Sequence, residues 1–324
     1  MLSSRYRPWH VPLFLGKYAW LRARNSPVLV NIEVTMRCNA RCSFCDYWKT
    51  PAEARKTELT DFGAIARHFN PMVVTFTGGE PTLRRDLEAI VASVRRAAPL
   101  TYLQMITHGG MLSLERAKSL WDAGIDQFNI SIDYLDGRHD DARGIPGLTA
   151  KILDIVPRMR DAGIGGVKFN SVIKRDNLDQ LIPLAEKALS MRSGVNFSLY
   201  TDSKNGNGKY LFDAEQHAAL DRAIADLLTF KRRHRSAISN SEYYLEQIPR
   251  YVRGEMTELC ESGTSTIHID PHGMVRRCPD FPADGPWQEH KGYEPIACNA
   301  CFYACRGEAQ APIRIMSRIR DVMA

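Results

Sequence analysis

Three cysteines lie close together in the sequence CNARCSFC, at Cys38, Cys42 and Cys45. A structural zinc site needs four ligands, and Asp46, the nearest further candidate in this loop, belongs to a residue type that is uncommon in such sites. Three thiolates on one loop match a [4Fe–4S] cluster in which one iron keeps an open coordination position. Because an open iron can bind a small molecule, the motif predicts a catalytic metal centre.

The spacing of these cysteines resembles the signature of the radical S-adenosylmethionine (SAM) superfamily, including an aromatic residue, Phe44, before the last cysteine. In that family the open iron chelates the amino and carboxylate groups of SAM, and an added electron cleaves the sulfonium to a 5′-deoxyadenosyl radical. The resemblance implies that Cys38, Cys42 and Cys45 hold the catalytic cluster. It covers residues 28 to about 200.

The motif TGGEP at residues 77–81 strengthens the resemblance, because it matches the glycine-glycine-glutamate element of the family. Two glycines let the backbone approach a ligand closely, and a carboxylate can accept a hydrogen bond from an ammonium group. Gly78, Gly79 and Glu80 are therefore expected to meet the amino group of SAM. A Gly-Gly pair after a strand is also a common turn, so the motif gains its weight from its place one βα unit after the cysteine loop.

Polar side chains at later strand ends match further positions that face the SAM pocket in the family. The alternative for each is the ordinary role of a polar residue at a strand end. These cofactor-binding candidates are Thr107, Ser131, Asp133, Arg143, Asn170 and Tyr200. Among them, Arg143 would reach the carboxylate of SAM, although a loop arginine is usually solvated.

Five more cysteines lie near the C-terminus, in the pattern C-x12-G-x4-C followed by C-x2-C-x3-C. This pattern resembles the extension called SPASM, or twitch in its shorter form. The full SPASM pattern has seven cysteines and two auxiliary clusters, so five cysteines imply one auxiliary [4Fe–4S] cluster. The implied ligands are Cys260, Cys278, Cys298 and Cys301, with Cys305 either spare or in the place of one of the last two. A zinc ribbon is the alternative interpretation.

Short apolar runs alternate with amphipathic stretches, which predicts βαβ units on a parallel sheet. Six strands are expected, at residues 28–35, 73–77, 101–107, 128–133, 167–173 and 195–200. Gly124, Gly163 and Gly194 each lie between a helical stretch and the next strand, where a helix C-cap is expected. The predicted fold is α/β, a partial (β/α)6 barrel of parallel strands with a small C-terminal cysteine-rich, metal-organised subdomain. The cysteine loop follows the first strand, at the end where α/β barrels carry their chemistry.

The sequence divides into three parts by composition. Residues 1–27 form a basic, aromatic leader, residues 28–235 the radical SAM barrel, and residues 236–324 the auxiliary-cluster subdomain with a C-terminal tail. Within the third part, residues 260–305 have little helical pattern and are rich in Pro, Gly and Cys, as expected of a unit organised by a metal. Within it, STIHIDPHGMVRRC is typical of a hairpin whose turn lies at residues 271–273.

The formal net charge of +6 is concentrated in residues 1–24, which hold five basic residues and no acid. The rest of the chain is nearly balanced, which argues against a nucleic-acid-binding surface. Aromatic residues alternate with the arginines of the leader, and such a segment can lie on an anionic membrane surface or pack its aromatic rings against the barrel. No apolar run is long enough to span a bilayer and no signal peptide is evident, so we expect a cytoplasmic protein, either free or membrane-associated.

The predicted function is a radical SAM enzyme that abstracts hydrogen from a small-molecule or lipid substrate, with a reductant such as flavodoxin or ferredoxin as its partner. The auxiliary cluster would transfer electrons in a dehydrogenation or anchor the substrate, and a free Cys305 facing the pocket would return a hydrogen atom in an epimerisation. Peptide modification is the second hypothesis, weakened because residues 1–27 are too few for a separate leader-binding domain. A non-catalytic iron–sulfur electron carrier is the third, and it would have no use for the Gly78–Glu80 element.

Overall fold

The computed structural model describes residues 8–203, 205–256, 258–290, 292 and 294–311. The predicted C-terminal tail and residues 1–7 of the leader lie outside these residues. The strands are β1 (Leu29–Thr35), β2 (Val73–Gly78), β3 (Tyr102–Thr107), β4 (Gln127–Ser131), β5 (Val167–Ile173), β6 (Gly194–Leu199), β7 (Thr266–Ile269), β8 (Met274–Arg276) and β9 (Gly285–Pro286). The α-helices are α1 (Val11–Ala23), α2 (Phe62–Phe69), α3 (Leu87–Ala97), α4 (Leu114–Ala123), α5 (Gly137–Arg143), α6 (Leu148–Asp161), α7 (Leu181–Ser190), α8 (His217–Arg233), α9 (Glu242–Val252) and α10 (Ala304–Gln310).

All of these strands belong to one sheet, in the order β6-β5-β4-β3-β2-β1-β7-β8-β9. Strands β1 to β6 pair in parallel with their sequence neighbours, which confirms the six predicted strands and the α/β partial barrel. Strand β7 pairs in parallel with the other edge of β1. Strands β8 and β9 follow in antiparallel pairing, so the predicted hairpin is confirmed and continues the barrel sheet.

The two faces of the sheet differ in polarity. Burial alternates strictly along β3 and β5, and the buried apolar set joins the helices in one hydrophobic core. The intervening residues are largely polar and lie on the concave face of the partial barrel. Neighbouring polar side chains bond to each other there: Gln104 Nε2 donates to Thr75 Oγ1 at 2.9 Å, and Asn196 Nδ2 donates to Asn170 Oδ1 at 2.9 Å. The period-two pattern thus produces an apolar outer face and a polar inner face.

The predicted glycine caps have different outcomes. Gly124 is the C-cap of α4, and Gly163 follows the C-cap of α6 with a φ of 83°. The prediction for Gly194 is wrong, because this glycine is the first residue of β6. Helix α7 ends earlier, and Arg192 adopts the left-handed conformation there with a φ of 53°. The backbone N–H of Ser193 then reaches back to the carbonyl of Ala188 at 2.8 Å and closes the helix end.

Helix α1 packs against the amino ends of the strands. Its Leu21 is fully buried, and Lys17 Nζ donates to Thr101 Oγ1 at 3.0 Å, directly before β3. The aromatic rings of the leader pack against the barrel only in part, because Trp9 and Trp20 are exposed. The helix is therefore fixed at the floor of the barrel with an aromatic face left outward.

Candidate functional site

The cysteine loop follows β1 and is held by the C-terminus of α5. Arg41 N donates to the carbonyl of Arg143 at 2.9 Å, and Ser43 N donates to the carbonyl of Ala142 at 3.0 Å. These are carbonyls at a helix end, which lack partners within the helix. Gly144 ends α5 in the left-handed conformation, and a Cβ there would lie 3.2 Å from the Cβ of Arg41. The loop is thus docked onto an element that follows the fourth strand.

The three thiols of the loop are unpaired, with Cys42 buried and Cys38 and Cys45 half-buried. Trp48 Nε1 donates to the carbonyls of Cys42 and Cys45, at 3.1 and 3.0 Å, and so fixes the backbone between them. Burial raises the pKa of Cys38 to about 12. Burial also raises the pKa of Cys42, although Arg143 opposes this with Nη1 at 4.0 Å from the sulfur. In the described residues, no three His, Cys, Asp or Glu side chains converge on the position of a single metal ion.

This donor set fits an iron–sulfur cluster of the type that the sequence predicts. Cys38, Cys42 and Cys45 are three free thiols on one short loop at the carboxyl end of a central strand, and thiolates are the ligands of such clusters. Trp48 and the end of α5 hold the loop backbone through hydrogen bonds, and none of these bonds involves a cluster.

A buried charge network lies beside the loop. Asp133 is completely buried after β4, its Oδ2 lies 2.7 Å from Arg143 Nη2, and its Oδ1 accepts from Val172 N at 2.8 Å. Burial alone would raise the pKa of Asp133, but the charges of Arg143, Lys174 and His139 outweigh it and hold this pKa at about 2. Asp133 is therefore ionised and fixes the guanidinium of Arg143 next to Cys42.

Lys174 is a site residue that the sequence analysis missed. It directly follows β5 and is fully buried, and its Nζ has no hydrogen-bond partner in the described structure. The ammonium lies over three rings instead, at 4.5 Å from the centroid of Phe44, 4.5 Å from Tyr134 and 5.2 Å from Tyr210. The rings come from three distant segments, so no local sequence pattern could have indicated this cage.

Two cations lie over the Phe44 ring. The Cζ of Arg143 is 5.0 Å from its ring centroid, and Lys174 Nζ is 4.5 Å away. The predicted aromatic position of the cysteine motif is thus a packing centre that joins the loop to the ends of α5 and β5.

The glycine pair after β2 allows the cysteine loop to approach. Gly79 N donates to the carbonyl of Thr35, and Glu80 N to the carbonyl of Arg37, both at 2.8 Å. A Cβ on Gly79 would lie 2.2 Å from the carbonyl oxygen of Arg37, and Gly78 has a φ of 117°. The glycines are therefore required by contact between two backbone segments of the protein itself.

Glu80 is buried, and four donors already surround its carboxylate. Oε1 accepts from the backbone N–H and the hydroxyl of Thr82 and from Thr107 Oγ1, and Oε2 accepts from His108 N at 2.8 Å. His108 Nδ1 accepts from Gly110 N, which leaves the proton on Nε2 to be donated to Asn39 Oδ1 at 2.9 Å. Burial lowers the pKa of His108, and the nearby negative charge of Glu80 acts in the opposite direction. This network ties the ends of β2 and β3 to the cysteine loop.

The remaining predicted strand-end residues have varied surroundings. Ser131 ends β4 and is buried, and Asn170 lies on the concave face. The hydroxyl of Tyr200 donates to the carbonyl of Asn207 at 2.8 Å. Asn207 Nδ2 in turn donates to the carbonyl of Ser43 at 2.9 Å.

The loop after β6 therefore contacts the cysteine loop. Tyr210 completes this contact, because its hydroxyl lies 2.6 Å from Ser43 Oγ. On the other side, the hydroxyl of Ser203 donates to the carbonyl of Ala300 at 3.2 Å. The loop thus touches both cysteine-containing segments of the chain.

The five C-terminal cysteines lie near one another. Cys260 N donates to the carbonyl of Cys298 at 2.9 Å. Burial raises the pKa of Cys278 to about 12 and that of Cys305 to about 11, and it raises the pKa of Cys260 and Cys301 as well. In every pair among Cys260, Cys278, Cys301 and Cys305, a negative charge on one sulfur would raise the pKa of the other, which indicates that these four sulfurs lie close together. Cys298 has the same effect on the pKa of Cys260.

Fold and site together define a parallel partial barrel with a three-cysteine loop at the carboxyl ends of its strands. The family model described as "Radical SAM superfamily" matches residues 32–188. A "Probable GTP 3′,8-cyclase" of Thermoplasma volcanium is 32% identical over 235 residues, covering 70% of this chain and 68% of the relative. A "GTP 3′,8-cyclase" of Staphylococcus aureus is 27% identical over 285 residues, covering 79% of each protein. The chain belongs to the radical SAM superfamily and is a radical SAM enzyme, and the family implies a [4Fe–4S] cluster and SAM as cofactors.

Solved structures support the same fold. SuiB of Streptococcus suis bound to S-adenosylmethionine superimposes with a TM-score of 0.66 at 16% identity, over 84% of this chain and 66% of SuiB. The structure of anSMEcpe with bound AdoMet gives a TM-score of 0.62 at 16% identity, over 82% of this chain and 79% of that protein. No helix in the described residues is long and apolar enough to cross a membrane.

Proposed function

We propose that Cys38, Cys42 and Cys45 hold the catalytic [4Fe–4S] cluster and that SAM binds at the open iron. When bound, these groups supply a hydrogen-abstracting radical through reductive cleavage of SAM. The observation that carries the proposal is the group of three unpaired thiols at the carboxyl end of β1, in direct backbone contact with the Gly78–Glu80 turn.

The protein's own groups would orient SAM. Three of the four donors at Glu80 share Oε1, so Oε2 accepts one backbone hydrogen bond, lies 3.3 Å from His108 Nε2, and is the oxygen that we propose for the SAM amino group. Arg143, held by Asp133, keeps a buried Nε without a hydrogen-bond partner in the described structure, which suits it to an anionic group such as the SAM carboxylate. Contacts from Thr107, Ser131, Asn170 and Tyr200 to SAM remain predictions.

We further propose that residues 28–235 form the barrel domain and residues 236–324 the C-terminal domain. The C-terminal domain would hold one auxiliary [4Fe–4S] cluster. Cys260, Cys278 and Cys301 are common to the predicted ligand set and to the group of four thiols that interact in every pair. We favour Cys305 over Cys298 as the fourth ligand, because Cys305 interacts with all three. In that case Cys305 would not be free to donate a hydrogen atom to a substrate radical.

The substrate that we propose is a polar small molecule. The concave face of the barrel presents side-chain amides, such as those of Asn31, Gln104 and Asn129, and the hydroxyl of Thr75, which both donate and accept hydrogen bonds. Such a lining is a poor match for a lipid chain. GTP is the first candidate, because the curated relatives are named GTP 3′,8-cyclases. The peptide hypothesis gains no support beyond the fold from SuiB and anSMEcpe at 16% identity.

Anaerobic turnover tests this function. The reconstituted protein is mixed with SAM and a reductant, either dithionite or reduced flavodoxin. The reaction is run with and without GTP that is deuterated on the ribose, and a Cys45→Ala variant serves as the control. We expect 5′-deoxyadenosine from the wild type only, faster with GTP and carrying deuterium. No SAM cleavage would contradict the assignment of the catalytic loop. SAM cleavage that GTP does not accelerate, with no deuterium in the 5′-deoxyadenosine, would contradict only the proposal that GTP is the substrate.

A further inference from the structure

The outward side of α1 and of the turn before it is apolar. Trp9, Leu13 and Trp20, here called the α1 face, are 69%, 53% and 46% exposed. At about 100° per residue Leu13 and Trp20 lie within roughly 20° of each other around the helix, and Trp9 lies in the 3-10 turn directly before it. Pro12, Gly16 and Ala19, which are also exposed, continue the same side. Tryptophan is a residue type that concentrates at membrane interfaces.

The neighbouring side of the helix is fixed to the barrel. Leu21 is fully buried, Lys17 bonds to Thr101, and Ser26 N donates to the carbonyl of Leu21 at 2.9 Å. The α1 face is therefore presented by a docked helix.

The charged residues of the leader itself have one sign. Arg22 and Arg24 are exposed at the end of the helix, and the Arg24 guanidinium lies 5.0 Å from the centroid of the Trp20 ring. Residues 1–24 contain no Asp or Glu. Exposed tryptophans flanked by arginines match the interface of a membrane that carries anionic lipids.

We propose that the α1 face docks the protein on an anionic lipid surface. The docked helix precedes β1, whereas the cysteine loop follows the end of β1, about 20 Å away for a strand of this length. The mouth of the barrel consequently points away from the membrane. This geometry supports attachment of the enzyme to the surface with its site open to the aqueous side, and it does not require a lipid substrate.

Vesicle flotation of the full chain tests the proposal. The probes are vesicles of phosphatidylcholine alone and of phosphatidylcholine mixed with phosphatidylglycerol. We expect binding to the mixed vesicles, weakened by high salt, with a blue shift of tryptophan fluorescence. Trp9→Ser/Trp20→Ser should weaken binding at least about tenfold because apolar burial is lost. Arg22→Gln/Arg24→Gln should weaken it roughly 30-fold.

The matched control is Met111→Ser/Leu211→Ser, which removes two exposed apolar side chains elsewhere on the chain and should bind as the wild type does. Equal binding by the tryptophan variant, or no preference for anionic vesicles, would overturn the proposal. So would a dimer in solution that the tryptophan variant dissociates, since a second copy would then cover the α1 face.

Discussion

Asp133 is a buried carboxylate that interacts with two cations at the site, Arg143 and Lys174. It lies 2.7 Å from Arg143, and the charge of Lys174 contributes to its low pKa. Each of the three residues is at least nine-tenths buried. Removing one partner from such a group leaves a buried charge without compensation, which is far more costly than the loss of a surface ion pair.

Asp133→Asn should therefore lower the free energy of unfolding by about 3–5 kcal/mol. The matched control is Asp136→Asn, which breaks an exposed ion pair with Arg138 at 3.0 Å and should cost less than about 1 kcal/mol. Denaturant unfolding of both variants measures the difference. Equal costs would show that the buried network does not stabilise the fold.

The stability that Asp133 contributes should also depend on pH. Its folded pKa of about 2 lies below the value of about 3.9 expected for an unfolded Asp. The contribution is thus fully present above about pH 4 and is lost as the pH falls toward 2. The difference in unfolding free energy between wild type and Asp133→Asn should shrink over that range, and a difference that grows on acidification would contradict the assignment.

The two uncertain auxiliary ligands can be separated at the residue scale. Cys305 interacts with Cys260, Cys278 and Cys301, so we expect Cys305→Ala to lower the iron content of the anaerobically reconstituted protein by up to about four irons. Cys298→Ala should retain the wild-type iron content. Iron analysis with EPR spectra of both variants provides the measurement, and the reverse result would restore Cys298 to the ligand set.

At the scale of the elements, the site depends on close approach between the β2 turn and the cysteine loop. Gly79→Ala would place a methyl group 2.2 Å from the carbonyl oxygen of Arg37, which is backbone and cannot turn away. We expect this variant to lose the catalytic cluster on reconstitution, read as loss of its EPR signal, with a free-energy cost of at least about 2 kcal/mol. Gly137→Ala is the control, because a Cβ there meets nothing within 4 Å. Retention of the signal by Gly79→Ala would refute the backbone explanation.

Local patterns were sufficient to predict the six parallel strands, because each one alternates or runs apolar between helical stretches. The cysteine loop and the Gly78–Glu80 turn were predictable for the same reason, as contiguous motifs at strand ends. Lys174 was not, since its cage joins rings from three separate segments. Nor could spacing show which C-terminal thiols face one another, because a chain reversal between residues 260 and 305 brings them together.

At the scale of the whole molecule, both cysteine groups belong to one continuous structure. Strand β7 pairs with β1, which places the C-terminal region on the same sheet as the catalytic loop. The loop after β6 touches the catalytic loop through Asn207 and the C-terminal segment through Ser203. This arrangement supports the proposal that a catalytic and an auxiliary cluster serve one active site.

The most direct test of this two-cluster proposal is iron and sulfide analysis with EPR of the anaerobically reconstituted protein. The wild type is compared with the Cys38→Ala/Cys42→Ala/Cys45→Ala variant, each with and without SAM. We predict about eight irons falling to about four, with loss of the one spectrum that SAM perturbs. About four irons falling to none, with zinc retained at the C-terminal cysteines, would contradict it.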